Sequence, residues 1–417
     1  MARNMKRAYV LYLGLIIFYS KSIQSAPLSS YLVSSFTPLD LDSNLRFNNI
    51  ALNNVTGDIY IGARERLYQL DSNLNLKETV DAGRCPLRNE NQYVNDNKLL
   101  IVVITPEYYM LITCGGCQAA HNCQTRNLTD ISLGVMNLSN TGLLVEGGDL
   151  HTVGVVALGA EYESRGIDKL NESFYLFTGT SGSGGAESLF ISKWNLPELQ
   201  FEQAISSGYV NFHEAYTFKH LISYKDYIYY FVSRGVDTYL GRICRNSPDR
   251  DFESYTELEL QCAHGGSQNV IQSAYIGPSG SQLAESMNIS TADDLVYAVF
   301  SSVSSSSLCV YTMIDVQQRF EDAILGCILG TGTGTENMFL EGSICAEYPA
   351  TPPDWYQCRG IFQDGYILYR YVSATNPLSA SHIIIIPDVI STSIVTTIER
   401  HHTMAFIGDT EGSLHKV

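Results

Sequence analysis

One short phrase recurs along this chain, and it constrains the fold more than any other feature. Within the stretch from Leu45 to Leu76, Asp58–Gly62 (DIYIG) is a run of β-branched and aromatic residues closed by glycine. Ala63–Glu65 turn the chain and Arg66–Leu70 (RLYQL) return it. Two such runs flanking a short turn predict an antiparallel hairpin. The pattern returns at Tyr109–Gly115, at Tyr175–Gly179 with Leu189–Trp194, and at Asp226–Ser233 with Leu240–Arg245. It returns again at Asp294–Ser301 with Leu308–Met313, more weakly at Gly365–Val372, and finally at Thr403–Val417. Unevenly spaced copies of one antiparallel unit predict an all-β chain, a β-propeller of seven blades with loop insertions.

The bulk numbers agree. With 417 residues, 45% hydrophobic and only 17% charged, the chain can bury a large core, and seven four-stranded blades would use nearly all of it. One domain over residues 26–417 is therefore expected. Before it, MARNMKR gives a positive start, Ala8–Tyr19 an apolar run, and Ser22, Ser25 and Ala26 small residues. A run of about a dozen apolar residues reads as a signal peptide over residues 1–25, too short to cross a bilayer. Cleavage would take Arg3, Lys6, Arg7 and Lys21 with it and lower the formal charge from −17 to −21. Such a surface repels nucleic acid and anionic lipid and suits a basic protein partner or plain solubility. The expected location is extracellular, either secreted or on the outer side of the plasma membrane.

Ten cysteines follow the signal segment: 85, 114, 117, 123, 244, 262, 309, 327, 345 and 358. An even number in a secreted chain predicts disulfides. Five glycosylation sequons, at Asn54, Asn127, Asn137, Asn171 and Asn288, fit the same compartment and predict exposed positions.

Along the chain, Ser29–Leu41 reads as a lone strand that could complete the C-terminal blade and close the ring, leaving no free sheet edge. The second blade begins over Lys98–Leu111, the third takes Asp149–Gly159 and Phe174–Trp194, the fourth Tyr209–Cys262 and the fifth Val270–Met313. Asp315–Leu329 changes period: Val316, Phe320, Ala323 and Ile324 have helical spacing, so a short helix on an insertion after the fifth blade is expected. Residues Ile361 to Val417 supply the end of the ring, and the sixth blade has no clear place.

At this point five segments, in order, resemble the sema domain of plexins, the cell-surface receptors for semaphorins. They are NNIALNNVTGDIYIGARERLYQLDSNLNL, LLIVV with LITCG and a following Cys, and LGRICRNSPDRDFESYTELELQC. AVFSS with SLCVYTMIDVQQRFEDAILGC, and HHTMAFIGDTEGSLHKV, complete the set. Semaphorins and the hepatocyte growth factor receptor group share the fold. The resemblance implies the pairs Cys244–Cys358, Cys262–Cys309, Cys327–Cys345 and Cys114–Cys123, leaving Cys85 to Cys117, a pair that departs from the plexin pattern. It implies a semaphorin as protein ligand, met through loops near the third and fourth blades, Asn195–Gly208 and Ser233–Tyr239. It implies no cofactor, and a membrane connection only through a region beyond Val417. A homodimer is the other assembly considered.

Several residue clusters have the look of chemistry without its spacing. Cys114-Gly-Gly-Cys117 has no second CxxC and no helix start, so it reads as structural sulfur. His213-Glu214 with His220 has the wrong spacing for a zinc helix. His401-His402 precedes a strand, where one buried and one exposed ring are expected. The glycine tracts Thr178–Gly185 and Gly330–Gly334 lack the Lys-Ser/Thr of a phosphate loop and read as turns. Asp58, Asp226 and Asp294 precede the repeated strands, where aspartate ordinarily makes a turn. No set of close carboxylates stands out, so no catalytic or metal site is expected. A secreted ligand or decoy is the second functional reading, and an extracellular propeller hydrolase the third.

Overall fold

The computed structural model describes residues 36–37, 47–82, 97–117, 120–138, 151–162, 169–182, 189–206, 215–246, 251–263, 270–302, 304–336, 345, 358, 362–363, 366–367 and 371–417. The expected signal segment, residues 1–25, and all but Phe36 and Thr37 of the expected lone strand at Ser29–Leu41 lie outside them.

Each repeat folds as a meander. The first sheet is β1 (Phe47–Leu52), β2 (Ile59–Ala63), β3 (Arg66–Leu70) and β4 (Leu76–Asp81), paired in that order. The second is β5 (Leu99–Ile104), β6 (Tyr109–Cys117), β7 (Ala120–Asn127) and β8 (Met136–Leu138). The third is β9 (Thr152–Tyr162), β10 (Lys169–Thr180), β11 (Leu189–Asn195) and β12 (Gln200–Ser206). The fourth is β13 (Tyr216–Tyr224), β14 (Tyr227–Arg234), β15 (Asp237–Cys244) and β16 (Thr256–Ala263). The fifth starts with β17 (Val270–Pro278), a short helix α1 (Ser281–Met287), β18 (Asp294–Ser301) and β19 (Ser305–Thr312).

Then comes the insertion. Helix α2 (Met313–Leu329) starts two residues before the predicted position because the Thr312 side chain accepts from Asp315 N, and it ends at Gly330 in the left-handed region, φ 65°. Val316, Phe320, Ala323 and Ile324 are its buried face, as their spacing predicts. β20 (Gly334–Glu336), the two-residue pair β21 (Phe362–Gln363) and β22 (Tyr366–Ile367), and β23 (Val372–Ala374) follow. The weak repeat at Gly365–Val372 thus contributes, in its described part, a two-residue hairpin arm and the first residue of β23 rather than a full meander. β24 (Leu378–Pro387) then returns to complete the fifth sheet against β19. The last sheet is β25 (Ser391–Glu399), β26 (His402–Asp409) and β27 (Leu414–Lys416).

The first strands of successive sheets touch in sequence order, β1 to β5, β5 to β9, β9 to β13, β13 to β17 and β17 to β25. That is the inner rim of a propeller. Most of the core clusters fill the gap between two neighbouring sheets. Tyr60 and Leu67 of the first meet Leu100, Leu111 and Leu128 of the second. Phe177 and Phe190 of the third meet Phe218 and Tyr230 of the fourth. Leu240 and Leu258 of the fourth meet Val296 and Phe300 of the fifth. Leu295 and Val299 of the fifth meet Ile394 and Ile407 of the last. The core is therefore a series of slabs, and a blade is stable because it is sandwiched.

Inner strands all begin at one end of the rim, here called the upper end, and finish at the lower end. Hydrogen bonds tie neighbouring sheets together at both ends. At the lower end Asn53 Nδ2 donates to Tyr109 Oη at 2.9 Å, Tyr108 Oη to the Leu196 carbonyl at 3.3 Å and Tyr224 Oη to Asp294 at 2.8 Å. At the upper end Phe218 N donates to Ser181 Oγ at 3.0 Å and Ile271 N to Thr238 Oγ1 at 3.0 Å.

Phe36 packs on Phe47 and Tyr68 of the first sheet, with ring centroids 6.3 and 5.3 Å away; apart from Phe36 and Thr37, the segment Ser29–Leu41 lies outside the described residues. One expectation changes here. The outer strand of the fifth sheet comes from β24, after the insertion, so that blade does not end at Met313. Sequence order hid this because Val270–Met313 already reads as a complete run of strands.

Candidate interaction surface

Among the described residues four disulfides are present: Cys114–Cys123, Cys244–Cys358, Cys262–Cys309 and Cys327–Cys345. Cys85 lies outside the described residues, as do His213 and Glu214. The bond Cys114–Cys123 joins directly paired residues of β6 and β7. Cys262–Cys309 ties β16 to β19 at the point where β24 changes partner. Leu378–Ser381 pair parallel with Leu260–Ala263, whereas His382–Pro387 pair antiparallel with Ser305–Cys309. The divergence leaves a cleft of about 390 Å³ lined by Leu283, Met287, Val310, Leu378 and Ile383, with Asp315 at its edge.

The loop Ser233–Tyr239 is the upper-end tip of the fourth blade. Arg234 pairs with Asp237 across a two-residue turn, Gly235 takes φ 56°, and Gly235, Val236 and Asp237 are exposed. Below the tip the side chains are locked. Arg234 is 5% exposed and forms an ion pair with Glu257 of β16, itself 1% exposed. Its guanidinium lies 4.3 Å from the Tyr239 ring centroid. Tyr255 Oη donates to Glu257 Oε1 at 2.5 Å, and burial and the Glu257 carboxylate push that phenol well above its ordinary value. Tyr239 is pushed up to about 12, chiefly by burial. A buried pair of this kind fixes geometry more than it adds stability. The tip is a rigid, preformed feature that offers shape and charge.

The second predicted loop, Asn195–Gly208, is not beside it. Its turn, with Leu196 and Leu199 buried and Glu198 exposed, lies at the lower end, and β12 then climbs the outer edge of the third blade. Residues 207–208 fall outside the described part. The two loops share a blade pair but sit at opposite ends.

The aspartates before the repeated strands do more than turn the chain. Asp58 accepts from Gln69 Nε2 at 3.1 Å and Lys77 Nζ at 2.7 Å, and Asp294 accepts the Tyr224 bond. They fasten strand ends within and between blades, which no spacing rule shows. Both His401 and His402 are exposed, against the expectation of one buried ring, because they form the turn itself and the first residue of β26. His401 Nδ1 hydrogen-bonds Ser281 Oγ at 3.2 Å across to α1. His220, on β13, has its pKa lowered by burial. Among the described residues no group of three or more His, Cys, Asp or Glu could hold a metal ion, and no helix is long and apolar enough to cross a membrane. Of the sequon residues, Asn54, Asn127 and Asn288, the last at the C-cap of α1, are exposed, and Asn137 and Asn171 lie on β8 and β10.

No family model matches the chain. Among curated proteins it is similar to Plexin-B3 of Rattus norvegicus, 25% identical over 407 residues, which is 90% of this chain and 20% of that protein. Plexin-B1 of Homo sapiens is 25% identical over 440 residues, 92% of this chain and 19% of that protein. The chain thus spans about a fifth of the length of these relatives. Among solved structures, the full extracellular region of plexin A4 matches with a TM-score of 0.69 at 22% identity, over 89% of this chain and 44% of that one. The first two extracellular domains of Drosophila semaphorin 1a match with a TM-score of 0.56 at 16% identity, over 89% of this chain and 75% of that one. The resemblance to the plexin sema domain holds over nine tenths of the chain.

Proposed function

We propose that this chain, an all-β sema domain of the plexin type, is the ligand-binding propeller of a semaphorin receptor and works by recognition, not catalysis. The observation that supports this most is a similarity to B-type plexins that runs through nine tenths of the chain rather than one motif. The semaphorin fold is also its structural neighbour, so ligand and receptor would meet as two propellers. Extracellular placement, seven blades when the ring is complete, and five N-glycans belong to the same reading.

The Ser233–Tyr239 tip suits such a role. A contact built on backbone that is already ordered loses little conformational freedom on binding. The buried Arg234–Glu257 pair beneath it holds the exposed Val236 and Asp237 in one presentation.

Surface plasmon resonance of the purified domain against the semaphorin ectodomains of its own organism tests the reading. Saturable binding of at least one is expected. Silence from all of them would sink it.

A further inference from the structure

All five sequon asparagines fall at one end of the ring. Asn54 is in the β1–β2 turn, and Asn127 ends β7, where its N–H donates to the Leu133 carbonyl of the β7–β8 turn at 3.1 Å. Asn137 is the second residue of β8, just past that turn. Asn171 pairs with Glu161, near the β9–β10 connection. Asn288 closes α1, in the β17–β18 connection. Each of these is a lower-end position. The connections that link sheets at the upper end, 82–98, 139–151, 207–215, 264–269 and 388–390, contain no sequon, nor do the tips between second and third strands.

A second, independent observation points to the same end. Val55 is 70% exposed, the largest value among the exposed large apolar residues. Leu133, Val135 and Met136 are also exposed, in the turn between Asn127 and Asn137. Tyr109 is exposed too, and its hydroxyl is held by Asn53, the neighbour of Asn54. Apolar side chains grouped this way ordinarily mark a covered surface. Here Asn54 precedes Val55, Asn127 bonds the Leu133 carbonyl through its N–H, and Asn137 follows Met136 in the chain. Asn53 Oδ1 accepts from Val55 N at 3.0 Å and Thr56 N at 3.2 Å, so the turn that displays Asn54 is fixed. Asn127 Oδ1 accepts from Thr129 N at 2.8 Å and Thr129 Oγ1 at 2.7 Å, linking the two residues that define that sequon.

We infer that the lower end of the propeller is clothed by N-linked glycans, that those on Asn54, Asn127 and Asn137 cover the apolar group around Val55 and Leu133, and that a protein partner is left the upper end. An N-glycan is bulky, hydrated and mobile. It shields apolar surface from self-association and keeps a second protein away from the same face. The occupant of the patch is thus the chain's own sugar. The part about the partner rests on the semaphorin-binding reading above.

The test uses the full chain secreted from a glycosylating cell. Glycopeptide mapping is expected to find sugar at Asn54, Asn127 and Asn137. Unoccupied asparagines there would overturn the inference. Enzymatic removal of N-glycans from the folded protein turns each asparagine into aspartate and so preserves the acceptor oxygens. It is expected to raise binding of an apolar fluorescent dye and light scattering, and unchanged signals would overturn the cover. Val236→Asn creates a sequon with Thr238 at the upper end. With sugar confirmed there, it is expected to weaken semaphorin binding by roughly tenfold or more, while deglycosylation of the native sites leaves it unchanged. Full binding by the glycosylated variant, or loss of binding on deglycosylation, would overturn the assignment of ends. If no semaphorin binds the untreated protein, the receptor reading fails, and the mass and scattering results still judge the glycan cover.

Discussion

The fourth sheet and the last sheet are built from the same phrase and end up in different environments. In the fourth, seven of the eight residues of β14 are buried, because the third sheet covers one face and the fifth the other. In the last, β26 buries only Ala405 and Ile407, both against the fifth sheet. Its other side leaves Val395 and Leu414 exposed among the described residues. At the opposite end of the series, β1 leaves Ile50 and Leu52 exposed in the same way. The strand chemistry is shared, and what differs is whether a neighbour stands on both flanks. A blade's stability is largely its neighbours' doing.

Four measurements would break or sharpen this contrast. Glu257→Ala leaves the Arg234 charge buried without its partner and is expected to cost about 3–5 kcal/mol, read from denaturant midpoints; a loss near zero would mean the seam is wet. Phe231→Ala, in the doubly covered strand, is expected to cost roughly 3–5 kcal/mol, against about 1 kcal/mol for half-buried Phe406→Ala. Equal losses would refute the role given to the second flank. Replacing both Cys244 and Cys358 by alanine frees a 114-residue separation in the unfolded chain and is expected to cost about 2–5 kcal/mol, with the fourth blade's hydrogen exchange rising toward that of the last sheet.

The smallest effect concerns acid. Burial pushes the Asp409 carboxyl up, but hydrogen bonds from His415 Nε2 and from the Ser413 and Glu411 N–H groups outweigh it and hold its pKa below the ordinary value. A lowered folded pKa stabilises the fold above the unfolded value of about 4, and that contribution is lost as pH falls through the folded pKa. Exchange in β26 and β27 is therefore expected to quicken below about pH 4, the ordinary aspartate range, before it does in β14. Asp409→Asn should remove the step; a step that survives it points to another carboxylate.

Much of this architecture was legible in the residues. Alternating apolar runs closed by glycine placed the hairpins, because strand periodicity and turn chemistry are local. The helix at Val316–Ile324 was legible for the same reason. What was not legible depends on distance along the chain. The strand Leu378–Pro387 reads as an isolated apolar run, and only its pairing with Ser305–Cys309 reveals its sheet. Helix α1 was missed because seven residues carry too little period to stand out. At the surface, the Ser233–Tyr239 tip was found from its repeat. The Arg234–Glu257–Tyr255 lock beneath it was not, since nothing in either residue's neighbours announces burial. The sequons were visible at once, but their shared end emerges only when strands are given directions.

The late arrival of β24 also bears on how the chain is made. When Thr312 leaves the ribosome the fifth sheet has three strands, and its outer edge is open where Leu378–Pro387 will lie. At a synthesis rate of about 5–20 residues per second, several seconds pass before that strand emerges. Throughout that interval the nascent sheet displays an unpaired margin, with the Cys262–Cys309 pair beside it. Translation speed across the segment from Met313 to Asn376, and any chaperone that guards a bare strand edge, would therefore set the yield of correctly assembled protein.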